Sequence, residues 1–115
     1  MIEKKERVIA ALPIIGKIDQ SRAEMITGVV LKESQRLKLE HLVIDLSGVH
    51  AIESEGVHAL LYTVNTLKLL GVDTVFTGIH PELALKASSF GDLNNATYCA
   101  NLEQALTSLG FKFSR

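Results

Sequence analysis

The chemistry-bearing residues of this chain gather around position 54. Ser54 stands between the carboxylates Glu53 and Glu55, with His50 four residues before it and His58 four after. A serine hydroxyl can act as a nucleophile when a histidine takes its proton. It can also accept a phosphoryl group, which brings roughly −1.5 to −2 charges at neutral pH. The nucleophile reading lacks its other parts, because there is no Gly-x-Ser-x-Gly elbow and no visible oxyanion hole or orienting third group. His58 lies one helical turn beyond Ser54, where a surface histidine is ordinary. No catalytic residue is expected. The four histidines show no His-x-x-x-His spacing and Cys99 stands alone, so no metal site is expected either. Gly48, Gly56, Gly71 and Gly78 form neither a Walker-type nor a dinucleotide fingerprint, and no cofactor is implied.

Two elements must position Ser54. The run Leu42-Val43-Ile44 is apolar on consecutive residues, the pattern of a strand covered on both faces. It predicts a strand over Leu42–Leu46, then a short loop. Beyond the loop, Val57, Leu60, Leu61, Val64 and Leu67 repeat at the spacing of one helix face, predicting a helix from Ser54 to Leu70. Gly71 closes it as a left-handed C-cap. Ser54 falls at the join, as N-cap, where its hydroxyl would accept a backbone N–H bond worth about 1 kcal/mol. The free N–H groups and the dipole of a helix start also favour an anion there.

The remaining chain alternates in the same way. Arg7–Ala11 and Leu12–Ile18 read as extended segments, with Pro13 suiting an edge or a break. Ser21 followed by Glu24 is a capping-box pattern. It opens a helix with Ile26, Val29, Val30 and Leu37 inward and Glu33, Arg36 and Lys38 towards solvent. Gly28 in that helix marks either a close packing contact or an exposed neutral site. Thr74–Ile79 is the next strand, and Pro81 stands in the first turn of a helix presenting Leu83, Ala84, Ala87 and Phe90, stopped by Gly91. Asp92–Asn95 is a loop and Ala96–Cys99 a short edge strand, with Cys99 as a small core residue. Asn101 and Gln104 cap a last helix with Leu102, Ala105, Leu106 and Leu109 inward, ended by Gly110. Phe111 and Phe113 alternate in the tail. His80 is a capping or exposed loop residue, and His41 a surface residue ahead of a strand. Alternating strands and helices predict an α/β fold, a mostly parallel sheet with helices packed against it.

Composition sets the outer limits. The 115 residues form one domain, 1–115, with 47% hydrophobic content and two prolines. A net charge of −1 gives no electrostatic case for nucleic acid or anionic membranes. The lone cysteine suits a reducing cytoplasm, and no apolar run approaches the roughly 20 residues of a membrane span. A cytoplasmic location is expected.

Asp45-Leu46-Ser47-Gly48-Val49 followed by Glu53-Ser54-Glu55-Gly56-Val57 resembles the STAS domain of bacterial anti-sigma factor antagonists. Leu67-Lys68-Leu69-Leu70-Gly71-Val72 and Thr77-Gly78-Ile79-His80-Pro81-Glu82-Leu83-Ala84 are similar to one branch, the stressosome regulators of RsbR/RsbS type. The resemblance runs from about Leu12 to Leu109. It implies a STAS-like fold in which Gly16 and Asp19 resemble the residues closing the family's second strand. It also implies a non-enzymatic partner-switching module in stress or sigma-factor regulation. In that family a partner serine kinase phosphorylates the serine or threonine after an acidic residue, and Ser54 falls on that position. Glu53, Ser54, Glu55, Gly56 and His58 would then form the partner-binding surface. The partners implied are a switch kinase of anti-sigma type and other STAS proteins, in homo- or hetero-oligomers. Two departures stand out. Glu53 replaces the usual aspartate, and Glu55 adds a second carboxylate. The family's second phosphorylatable threonine falls on Asn101. The other readings left open are a small-ligand or nucleotide-binding STAS domain, and a hydrolase using Ser54.

Overall fold

The computed structural model describes residues 8–88 and 96–109. Strands and helices alternate as β1 (Ile9–Ile18), α1 (Gln20–Leu37), β2 (His41–Ile52), α2 (Ser54–Leu69), β3 (Asp73–Thr77), α3 (Pro81–Ser88), β4 (Ala96–Cys99) and α4 (Leu102–Ser108). Every strand pairs in parallel with its neighbour in the chain, and the sheet order is β1-β2-β3-β4. This is the predicted α/β class.

Parallel connections carry a helix across the sheet face, and here the faces are unequally covered. Ala23 and Val30 of α1, Val57, Leu60, Val64 and Leu67 of α2, and Leu83 of α3 share one core with Ile14, Ile18, Leu42, Ile44, Leu46 and Phe76 of the sheet. The opposite face has a smaller core of Val43, Val75 and Ala105, with Leu106 and Leu109 against it, so α4 covers it. The run Leu42-Val43-Ile44 is therefore buried on both faces, as its lack of alternation predicts.

Several boundaries differ from expectation. The two extended segments at the start are one strand, β1, with Pro13 inside it at a shift of register between Pro13 and Ile15. Among the described residues β1 is an edge strand, a place where a proline is tolerated. The capping box at Ser21 is not formed. Asp19 is the N-cap of α1, and its Oδ1 accepts the Arg22 N–H at 2.8 Å. On α1, Val29 and Leu37 are exposed, while Ala23, Val30 and Ser34 face inward. Gly28 is an exposed site with nothing against it.

β3 stops at Thr77 rather than Ile79. His41 is the first residue of β2 and half-buried. Leu102 is exposed, whereas Ala105 is buried. Gly71 meets its expectation: at φ +84 its N–H bonds the Lys68 carbonyl at 3.1 Å, and the next N–H, of Val72, bonds Leu67 at 2.8 Å. That pair of bonds is a Schellman ending. The expectations for Phe90, Gly91, Asp92–Asn95, Gly110, Phe111 and Phe113 lie outside the described residues, as does the side chain of Ala87.

Candidate functional site: the turn from β2 into α2

The stretch expected as a loop between Leu46 and Ser54 is strand for all but one residue. β2 continues to Ile52, pairing Ile15 with Gly48, Gly16 with Val49, Lys17 with Ala51 and Ile18 with Ile52, with a second register shift between Gly16 and Lys17. Gly48 permits this pairing, because a Cβ there would lie 3.1 Å from Ile15 Cγ1.

The turn itself is Glu53. Its N–H donates to the Ile18 carbonyl at 3.0 Å, extending the β1 pairing, while its own carbonyl accepts the Val57 N–H at 3.1 Å and so starts α2. Glu53 is therefore the N-cap, with φ −81 and ψ 158, and Ser54 is the first helical residue rather than the cap. The Glu53 side chain caps no backbone N–H. Its carboxylate faces Lys17 Nζ at 3.5 Å, an exposed pair of small energetic weight. α1 and α4 differ, since Asp19 and Asn101 each accept a first-turn N–H through the side chain. The first-turn N–H groups of α2 have no intrahelical partner by geometry, and no side chain of the N-cap takes them.

Ser54, Glu55 and His58 are exposed around this helix start. Gly56 is not. It is buried, and a Cβ there would lie 3.1 Å from the Ile18 carbonyl oxygen, from Ile18 Cγ2 and from Ile52 Cγ1. Gly56 lets α2 begin close against the end of β1 and so sets the height of Ser54, without presenting a side chain itself.

Beside the turn lies a groove of about 640 Å³ between the end of β2 and α3, with Lys17, His50, Glu53, His80, Glu82 and Lys86 among its polar walls. Lys86 Nζ donates to the Ile52 carbonyl at 2.8 Å, tying α3 to the residue before the turn. A second tie fixes the other end of the groove. The Ser47 N–H donates to Asp45 Oδ1 at 3.0 Å, Thr77 Oγ1 donates to the same oxygen at 3.3 Å, and a ring nitrogen of His80 bonds the Ser47 carbonyl at 3.0 Å. His80 is thus exposed and held, in keeping with its expected loop place. Lys86 was not singled out from the sequence, and Asp45 was read only as part of the family motif. The Asp45-x-Ser47 spacing of a side-chain turn was the one signal available for the second. Among the described residues, no three His, Cys, Asp or Glu side chains group as a metal site would require. No helix there is long and apolar enough to cross a membrane.

The family model described as the STAS domain matches residues 1–105. This chain belongs to the STAS domain family. Among its relatives, the STAS domain is 36% identical over 105 residues to the RsbT co-antagonist protein RsbRD of Bacillus subtilis, a match covering 90% of this chain and 38% of that relative. The STAS domain therefore spans well under half the length of that curated relative. Among solved structures it is similar to Moorella thermoacetica RsbS in a serine-to-glutamate variant, with TM-score 0.77, 26% identity, and 92% of this chain and 91% of that one covered. It is similar in fold to a chain from the molecular architecture of the stressosome, with TM-score 0.74, 23% identity, and coverages of 92% and 93%. The resemblance read from the motifs around Ser54 and His80 is thereby shown, down to the RsbR/RsbS branch.

Proposed function

We propose that this STAS domain is a non-enzymatic partner-switching module of the stressosome kind, and that phosphorylation of Ser54 controls it. The observation carrying the reading is the geometry of the turn: an exposed serine on the first residue of α2, above first-turn N–H groups that the N-cap side chain leaves uncapped. Those donors and the helix dipole can hold a phosphate without unfolding the helix. The neighbouring carboxylates Glu53 and Glu55 make the dianion costlier and keep the surface acidic beforehand.

The partners are a switch serine kinase, with RsbT as first choice because the relatives are named its co-antagonists, and other STAS chains in an oligomer. The setting is the cytoplasm. Glu53, Glu55 and His58 form the rim that a partner meets, with Gly56 shaping it from beneath. Phosphoserine then acts by charge, turning an acidic surface into one a partner leaves.

Incubation with purified RsbT and ATP should label the wild type, and Ser54→Ala should abolish the label. Label persisting at Thr97 or Ser108 in Ser54→Ala would overturn the assignment. Ser54→Asp, carrying one charge, should weaken partner binding incompletely while circular dichroism stays unchanged. The groove walled by Lys17, His50, His80 and Lys86 together with Glu53 and Glu82 supports one second reading, a small ligand or nucleotide. A thermal shift produced by such a ligand, without kinase labelling, would favour it.

A further inference from the structure

Two lysine ammonium groups wall the groove beside the Ser54 turn, and they are held differently. Lys86 Nζ donates to the Ile52 carbonyl at 2.8 Å. Lys17 Nζ instead faces a carboxylate oxygen of Glu53 at 3.5 Å, with the two side chains 58% and 44% exposed. A pair that long and that exposed contributes little, so the ammonium is weakly held by this partner. The backbone of Lys17, by contrast, is fixed. It pairs with Ala51 in the ladder, and the Arg22 guanidinium donates to its carbonyl at 2.9 Å. The next residue, Ile18, accepts the Glu53 N–H at 3.0 Å and lies against Gly56. The root of Lys17 is therefore anchored where α2 begins, while its charged tip is loosely paired with the residue that precedes Ser54.

Resting on the functional reading of Ser54, we propose that Lys17 is an exchangeable counter-ion. Glu53 holds it in the unmodified chain, and phosphoserine at position 54 takes it over. At equal separation and screening, a dianion attracts an ammonium roughly twice as strongly as a single carboxylate does. The first-turn N–H groups that the Glu53 side chain leaves uncapped supply further donors to the phosphate. The exchange has two consequences. The phosphate is held at the start of α2 by the protein's own groups and presents a fixed anion. Glu53, released from Lys17, adds its carboxylate to the same surface beside Glu55. One modification thus changes the charge pattern at two positions. An aspartate at position 54 carries one charge on a short stem and leaves the pair of Lys17 and Glu53 in place, so Ser54→Asp reproduces only part of the switch.

The test places phosphoserine at position 54 of the full chain during translation, so that no kinase is needed, and follows its second ionisation by phosphorus NMR. An isolated phosphoserine has this pKa at about 6. Lys17→Met should raise the value by about half a unit relative to the unsubstituted phosphoprotein. Lys17→Arg keeps the charge and should leave the value as it is. Lys86→Met should move it much less than Lys17→Met does, because the Lys86 ammonium stays on the Ile52 carbonyl. No shift in Lys17→Met, or an equal shift in Lys86→Met, would overturn the exchange. A value raised as far in Lys17→Arg would assign the effect to packing and overturn it likewise. Incubation of the unmodified chain with RsbT and ATP tests the functional reading separately. No label, with the Lys17 shift present, overturns that reading and supports the exchange; label without the shift does the reverse.

Discussion

The ammonium of Lys86 donates to the backbone carbonyl of Ile52 at 2.8 Å, across 34 positions of sequence. Ile52 is the last residue of β2, and Ser54 begins α2 two residues later. Helix α3 therefore holds the strand end from which the turn carrying Ser54 departs. This bond adds a polar tie to the apolar packing of Leu83 against the same core as Ile44 and Leu46.

Lys86→Met should remove that bond while keeping most of the aliphatic stem. A hydrogen bond from a charged donor contributes about 1.5–3 kcal/mol when buried, and the exposed position of Lys86 puts this one at about 1 kcal/mol. The expected result is a melting temperature lower by several degrees. A melt superimposable on the wild type would show that the bond contributes nothing.

Glu53→Asp should raise stability. Position 53 has the extended dihedrals of an N-cap, but its long side chain caps nothing. Aspartate is among the best N-cap residues, and gaining such a cap is worth about 0.5–1 kcal/mol. The loss is only the exposed pair with Lys17. Thermal unfolding should shift upward by a few degrees, and a downward shift would mean that the Lys17 pair outweighs the cap.

Gly78→Ala and Gly71→Ala separate two reasons for a glycine. Both have positive φ, at +67 and +84. A Cβ at Gly78 would lie 2.6 Å from Ser47 Cβ, whereas nothing lies within 4 Å of one at Gly71. The Gly71 variant should lose about 1 kcal/mol, the cost of the left-handed conformation. The Gly78 variant should lose that and a steric cost besides, about 3 kcal/mol in all. Urea unfolding of the two variants measures the difference.

Tyr98 makes high pH unfavourable to the fold. Its ring stacks on Phe76 with centroids 5.7 Å apart, and burial raises its phenol above the ordinary value of 10.0. The folded form thus holds the proton more tightly than the unfolded chain. That contribution is fully present below pH 10 and is lost as pH rises through the folded value. Tyr98→Phe keeps the ring and should lose less stability than the wild type between pH 9.5 and 11 (on the order of one unit either side of the tyrosine value). Parallel losses in the two proteins would assign the effect to other groups.

The sheet and helices were legible wherever burial was one-sided or complete. The apolar run at Leu42, the stripe from Val57 to Leu67 and the glycine at 71 each state a single physical demand. The turn was less legible, and pairing is the reason. Ser47, Gly48 and His50 look like loop residues, yet β1 goes on pairing with this stretch through Gly48, Val49 and Ala51 after β3 has ended opposite Asp45. That same pairing runs on to the Glu53 N–H, so α2 starts one residue earlier than Ser54 suggests as a cap. At α1 a similar competition arose. Asp19 and Ser21 are both good caps, and local pattern favoured Ser21, but the chain leaves β1 in an extended conformation at Asp19. Val29 and Leu37 show the reverse limit: apolar type predicted burial, while the helix is turned to bury Ala23, Val30 and Ser34 instead. Lys86 had no signal, because a lysine on a short helix is usually solvated and its bond to Ile52 exists only in three dimensions.

The sheet order has a bearing on how this molecule comes to exist. Among the described residues each strand lies beside the one made just before it, so none of these strands must wait for a later one to complete its inner edge. Loop-closure costs are met one crossover at a time rather than all at once. During synthesis, β1, α1 and β2 can assemble while β3 is still to come, and each further crossover adds to an edge already in place. The turn carrying Ser54 belongs to the early part of that growth, since its pairing partner is β1. By contrast, Lys86 and His80, which fasten the groove beside it, arrive only with α3 and complete the site last.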